Sequence, residues 1–446
     1  MALGGGTFTV QNKVLPGAYV NFFSVASASA AVSDRGIATV PLTLDWGRDH
    51  EVIAVTNEEF QKQSRKIFGH DYTDQEMKGL RDLFLGAKTL FTYRLNSGGD
   101  KASNEYAVAA CSGTRGNDLK ISIQQNVDEA GAWDVITWLG TDRVDTQTVT
   151  EAAQLVPNDF VSFKADITFA VVAGAALSGG TNGTATNAAY QAYLDKIESY
   201  RFNTMGVVTT DDTVKSLFAA YNKRMRDELG IKFQLVLYDY TLPDYMGVIS
   251  VKNKCLDGVG KDSDGKMAYP DEAAAVYWTV GAQAGCAVNA SVQNRMYNGE
   301  YEIAVDYTQS ELIAAIKAGE FVFHRVNSDI RVLEDINTMV TVTDTVGTVF
   351  KDNQTIRVID ELANQDAQVF NEKYLGKVPN DEAGRSALWS DLVKIRQELQ
   401  TIRAIENFNE MDVSISQGDT KKSVVVENAI TVVNAMSKLY MTTTIA

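Results

Sequence analysis

Between Phe91 and Thr186 the chain drops the helical period that marks the stretches on either side of it. "KTLFTYRLN", "EYAVAACS", "LKISIQQN", "WDVITWLG", "DRVDTQTVT" and "FVSFKADITFAVV" are short strand-like runs with Gly and Asn between them, the pattern of an all-β sandwich or small barrel. The run closes in "GAALSGGTNGTATN", a Gly/Ser/Thr/Asn stretch that reads as a linker. Helices cannot be threaded through such a block, so it constrains everything else. Whatever fold the flanks make must tolerate a β domain, residues 91–186, inserted into it.

The flanks, 21–90 and 187–345, read as one α/β domain. Thr56 and Glu59 have capping-box spacing with a stop at Gly69, and Thr73 with Glu76 repeats it up to Gly86. "GIATVPLTLDW" reads as a strand whose Pro41 places it at a sheet edge. Beyond the insertion, Asn187 caps a helix with Tyr190, Tyr193, Leu194 and Ile197 on one face. A second helix starts at Asp212 and carries Val214, Leu217, Phe218 and Tyr221. A small apolar helix, "DEAAAVYWTVGAQAGCAV", suits tight packing on a sheet, and another helix starts at Thr308. The strands "NTMGVVTT", "IKFQLVLY" and "GVISVKN" alternate with these helices, which predicts a parallel or mixed sheet.

Residues 346–446 change again. Ile356, Ile359, Leu362 and Phe370 mark one helix, and Leu388, Leu392, Ile395 and Leu399 a second. "MDVSIS" and "SVVVENAITVV" follow as strands of a thin sheet. The fold class is therefore multidomain α+β: an α/β middle domain, an inserted all-β domain and a C-terminal α+β domain. At its far end Leu439, Met441, Thr443 and Ile445 alternate with Tyr440, Thr442 and Thr444. Thr7–Val10 in the first 20 residues alternates likewise. A lone strand cannot satisfy its own backbone. Each of these two either folds back into its own domain or pairs with another molecule.

Composition excludes several partners. With 41 Lys+Arg against 57 Asp+Glu the net charge is −16, which disfavours nucleic acid and anionic membranes. The N-terminus has neither the basic start nor the apolar core of a signal peptide, and no membrane-spanning apolar run exists. Cys111, Cys255 and Cys286 are scattered, as free thiols in a reducing cytoplasm would be.

Chemistry is hard to place. The three histidines, His50, His70 and His324, form no helical pair, and no cysteine pair has metal or redox spacing. Neither Ser112 nor Ser178 sits in a nucleophile elbow. "CLDGVGKDSDGK" departs from a phosphate loop at Cys255 and Asp262, and its Asp262/Asp264 pair lacks the Glu that closes a calcium loop. After Val207-Val208, where a dinucleotide fold places glycines, the chain reads "TTDDTV". Tyr190, Tyr193 and Tyr200 read as core without a basic groove beside them. No catalytic residue, metal or cofactor is expected.

"LPGAYVNF", "DRGIATVPLTLDWG", "KYLGKVPNDEAGRSALWSDL" and "SVVVENAITVVNAMSKLYMTTTI" resemble, in order and spacing, the tail sheath proteins of contractile phage tails. The nearest flavour is the sheath of prophages and R-type bacteriocins of Gram-positive bacteria. The resemblance covers residues 1–90 and 187–446, and the insertion matches in position only. It implies a non-enzymatic subunit of stacked hexameric rings around an inner tail tube, meeting baseplate and tail terminator proteins at the ends. Such a particle is a virion tail or bacteriocin, assembled in the bacterial host cytoplasm, with energy stored in the lattice and not drawn from a nucleotide. It further implies strand-donating arms, here Thr7, Phe8, Thr9 and Val10 at one end. At the other end stand Val424, Val425, Val426, Leu439, Tyr440, Met441, Thr443 and Ile445. One C-terminal helix would face the tube with Arg396 and Arg403, and residues 91–186 would lie outermost. A type VI secretion sheath and an α/β hydrolase are the competing readings.

Overall fold

The computed structural model describes residues 35–258, 260–261, 267–268, 271–344 and 346–445. The first block holds β1 (Ile37–Leu42), β2 (Val52–Thr56), α1 (Asn57–Phe68), α2 (Lys78–Phe84) and β3 (Thr89–Arg94). At the start of α1, Thr56 Oγ1 accepts from the Glu59 N–H and Glu59 accepts from the Thr56 N–H. Its end is Gly69, at φ 78°, where the left-handed backbone suits glycine. The Thr73–Glu76 repeat of this motif does not form. Asp74 Oδ2 instead accepts from the Asp71 N–H, and Arg81 Nη1 donates to the carbonyls of Tyr72 and Asp74. These bonds fix the loop in another shape, so α2 begins after a short 3-10 turn, Gln75–Met77.

The insertion contains β4 (Ala107–Ala109), β5 (Leu119–Gln125), β6 (Trp133–Leu139), β7 (Asp142–Val149), β8 (Val161–Phe163) and β9 (Val172–Ala176). A four-stranded antiparallel sheet, β7-β6-β5-β9, accompanies the pair β4-β8. Leu119, Ile121, Ile123, Val135, Leu139 and Val161 form its core, and Trp46 from the first block packs among them. The neck is held by Arg94, which is fully buried. Its guanidinium donates to the carbonyls of Leu44, Gly47 and Ser112 and to Ser112 Oγ. The expected boundary at residue 91 is corrected here. β3 lies between β1 and β2, so Phe91–Arg94 belong to the central sheet and the insertion starts after them.

The chain returns through α3 (Asn187–Ile197), β10 (Thr204–Gly206), α4 (Asp212–Asp227), β11 (Gln234–Tyr238) and β12 (Val248–Val251). The cap of α3 is Thr186, one residue earlier than expected, with its side chain accepting from the Ala189 N–H. A small ribbon, β13 (Gly260–Lys261) and β14 (Met267–Ala268), precedes α5 (Ala275–Gly285) and α6 (Gln309–Lys317). Then come β15 (Glu320–Phe321) and the hairpin β16 (Phe323–Val326) and β17 (Asp329–Val332).

Seven strands form one sheet in the order β15-β12-β11-β10-β1-β3-β2, parallel except for β2 against β3. The placement of β1 at an edge is therefore wrong. The β10 ladder covers only Ala38 and Thr39, so Pro41 faces β3 alone, and its missing N–H breaks no bond on the open side. Alternate residues of β11 point to opposite faces. Val236 and Tyr238 join the core under α1, α2 and α5, and Leu235 and Leu237 join that under α3 and α4. The helices α2 and α5 touch backbone to backbone, and a Cβ at Gly281 would sit 2.0 Å from the Leu83 carbonyl oxygen.

The last part holds α7 (Asn353–Val369), α8 (Glu382–Thr401), β18 (Ile405–Glu406), β19 (Val413–Gln417), β20 (Val424–Asn428) and β21 (Thr431–Val432). The first half of α7 is sunk against the central domain. Arg357 donates to Asp335 Oδ2 at 2.7 Å and to Gln283 Oε1 at 2.5 Å, with both members of the ion pair 1% exposed. Burial alone would push the Asp335 carboxyl up, but Arg357, Gln283 and Asn353 outweigh it and hold it below the usual carboxylate range. One turn on, Asp360 takes a two-pronged contact from Arg226 of α4 at 2.6 and 2.7 Å.

Candidate interaction surface

The C-terminal strands make two separate pairs, β19 with β20 and β18 with β21. Each is two strands wide, so its outer edges are unpaired among the described residues. One face of the β19-β20 pair rests on α8. Val413 is buried there, its carbonyl accepts from Trp389 Nε1, and Ile415 and Val424 pack toward Leu388, Leu392 and Ile395. The other face carries Ser414, Ser416, Val425 and Glu427 into solvent. Val424, Val425 and Val426 were expected in a donated arm. They stand in β20, in register with Gln417, Ser416 and Ile415 of the same chain, because Val424 needs the α8 core beneath it. They form part of an open-edged sheet and not of an arm.

Past β21 the chain is held by a few polar contacts. The Val433 N–H donates to the Ala404 carbonyl. Gln354 of α7 donates to the Val433 carbonyl at 3.1 Å and accepts from the Ala435 N–H at 2.9 Å. Thr355 bonds the Asn434 side chain. From Met436 to Ile445 no such bond holds the chain among the described residues. Residues 436–445 have no strand partner among the described residues, and Leu439, Tyr440, Met441 and Ile445 are each at least 78% exposed. A run of large apolar side chains in solvent marks an interaction segment. Thr7, Phe8, Thr9 and Val10 lie outside the described residues, as do Asp262 and Asp264 of the acidic turn.

Of the two C-terminal helices, α7 is covered over most of its length, whereas α8 leaves Ala383, Ala387, Ser390, Lys394, Gln397 and Thr401 exposed along one side. Arg396 is not on that side, which corrects the expectation that it meets a partner. It is fully buried, with Nη1 and Nη2 on the two oxygens of Asp366 at 2.5 and 2.6 Å, and so joins α8 to α7. The spacing held the signal. Arg396 stands four residues after Leu392 and three before Leu399, on the apolar stripe itself. Arg403 is exposed just beyond the helix, at φ 60°.

The Ser112 hydroxyl, the three thiols and Tyr193 are engaged elsewhere or held unreactive. Ser112 Oγ donates to Asp49 Oδ2 and accepts from Arg94. Burial pushes the Cys255 thiol up to about 12 and raises Cys111 and Cys286 as well, away from the reactive thiolate. Tyr193 is core, with its hydroxyl 2.6 Å from Thr39 Oγ1. No helix among the described residues is long and apolar enough to cross a membrane.

Comparison with known proteins gives a consistent picture. Four family models match in tandem. They are the N-terminal region of domain III of tail sheath protein Gp18 at 35–95 and the phage tail sheath β-sandwich domain at 97–182. The phage tail sheath central domain follows at 183–338 and the C-terminal domain at 345–446. Phage-like element PBSX protein XkdK of Bacillus subtilis is 31% identical over 98% of this chain and 99% of its own. The solved sheath tail protein of Desulfitobacterium hafniense is 34% identical, covers 95% of this chain and 99% of its own, and has a TM-score of 0.81. The anti-feeding prophage helical sheath in its contracted state shares the fold at 11% identity, with a TM-score of 0.55 over 97% of this chain and 99% of that one.

Proposed function

The chain belongs to the phage tail sheath protein family, and on that premise we propose that it polymerises as stacked hexameric rings around an inner tail tube. Contraction of the sheath drives the tube through a target cell envelope. The observation that supports this most is the exposed segment 436–445 beside open-edged C-terminal strands. A donated strand of seven residues spans about 23 Å, enough to lie along a neighbour's short ribbon. Thr7–Val10 is the second donated strand, and Leu439–Ile445 the first. Backbone ladders hold while the linking segments flex, which suits a lattice that slides and rotates. Energy resides in the extended lattice.

Further assignments rest on the same reading. A polymer of donated strands has an unfilled edge at one end and an undonated strand at the other, and baseplate and tail terminator proteins meet those ends. The exposed side of α8 and Arg403 face the tube, and the β insertion lies outermost. The particle is a phage tail or bacteriocin, assembled in the host cytoplasm. Negative-stain electron microscopy of the purified protein tests this. Helical tubes with sixfold rings are expected, and a protein that stays monomeric at every concentration contradicts it.

A further inference from the structure

We infer that His70, Asp74 and Glu76 form a site for a divalent first-row transition cation bound through mixed nitrogen and oxygen donors. The left-handed turn at Gly69 carries the chain off α1 and sinks His70 into the wall beside the insertion, where it is 6% exposed. Its Nε2–H donates to Asp45, at 2.9 Å to Oδ1 and 3.1 Å to Oδ2. That bond orients the ring with Nδ1 as the nitrogen left to bind a ligand, and a cation there would displace the proton that the facing carboxylates favour. Among the described residues Nδ1 makes no hydrogen bond. It points between two carboxylates, 3.7 Å from Glu76 and 3.9 Å from Asp74. A carboxylate on the far nitrogen of a histidine is the usual support for a metal-bound imidazole, since it orients the ring and raises its basicity.

The spacing suits one ion. The three donor atoms lie within 4.8 Å of one another, and donors sharing a cation at bonds of about 2.0–2.2 Å stand roughly 3–4 Å apart. Asp74 is held in place by the Asp71 N–H at 2.8 Å, and its loop is pinned by Arg81. The nearby cations are occupied elsewhere, Arg65 by Asp71 and Asp142 and Arg115 by the Gly69 carbonyl and Asp118. Glu76 is more than half exposed, which leaves an entry path and room for water ligands. Imidazole with carboxylates suits zinc, manganese or cobalt better than calcium.

The test is calorimetric titration of the chelator-stripped full chain with Zn2+, followed by Co2+ as an absorbing probe. One cation per chain is expected, with visible Co2+ bands. Glu76→Gln, on an exposed side chain, should weaken binding at least tenfold, and Asp45→Asn by about 10–100-fold. Circular dichroism checks that both variants stay folded. No binding at millimolar Zn2+, or equal affinity in wild type and Glu76→Gln, overturns the site and leaves His70 as an imidazole held by carboxylates alone.

Discussion

In the seven-stranded sheet all five residues of β11 are buried, and its interior strands have neighbours on both sides. In the C-terminal domain β20 has only Val424 half-covered, and among the described residues it pairs with β19 alone. Both regions use Val- and Ile-rich strands. The difference lies in what covers them. Helices α1, α2 and α5 close one face of the large sheet and α3 and α4 the other, whereas α8 covers only one face of the β19-β20 pair. The central half finishes itself. The C-terminal half leaves backbone edges open and an apolar tail exposed among the described residues, while α7 fastens it to the central half through two buried ion pairs.

Three variants probe the difference between the two halves. The largest effect falls on the seam. Arg357→Ala leaves Asp335 charged and unpaired in a fully buried place, which should cost about 3–5 kcal/mol in denaturant unfolding of the monomer. A loss under about 1 kcal/mol would mean that the two halves are not joined there. A smaller effect tests how completely the central half is closed. Burial pushes the Asp82 carboxyl up to about 6, against the Glu300 N–H and Tyr297 hydroxyl that bond it. Its folded-state pKa lies above the unfolded value, so stability is lost as pH rises from about 4 through 6. Asp82→Asn removes that titration, and should gain roughly 2 kcal/mol relative to wild type between pH 4 and pH 7. Parallel pH profiles would show that the site is open to water. The smallest effect on the monomer comes from Arg403→Glu, which is expected to leave the melting temperature within about a degree. Co-assembly with the tube should still weaken and become more salt-sensitive. Unchanged assembly removes Arg403 from the tube contact.

Much of the architecture was legible because local chemistry and fold agree. The Thr56–Glu59 box, the glycine stop at Gly69 and the small face of α5 each report a local contact that the tertiary fold keeps. Failures came where a distant partner decided the outcome. Pro41 sits mid-sheet because β10 is short, and Arg81 reshapes the loop that should have capped α2. β3 reads like its neighbours in the insertion, yet its ladder partners lie on the other side of the neck. The interaction surface divides the same way. The alternation at Leu439–Ile445 was visible in sequence, but the anchor at Gln354 and Thr355 comes from a helix some 80 residues earlier and has no local signature. Arg396 is buried because its position on the apolar stripe, with Asp366 to pair it, outweighs its charge.

On the proposed assembly, the C-terminal tail belongs to a neighbour and not to its own domain. Deleting residues 436–446, just beyond the last anchored residue Ala435, tests it most directly, with thermal melting and electron microscopy on the same preparation. A folded monomer melting within about a degree of the full chain is expected, since Met436, Leu439, Tyr440, Met441 and Ile445 are all exposed, together with a complete loss of tubes. A melting temperature many degrees lower, or tubes that still form, would contradict it.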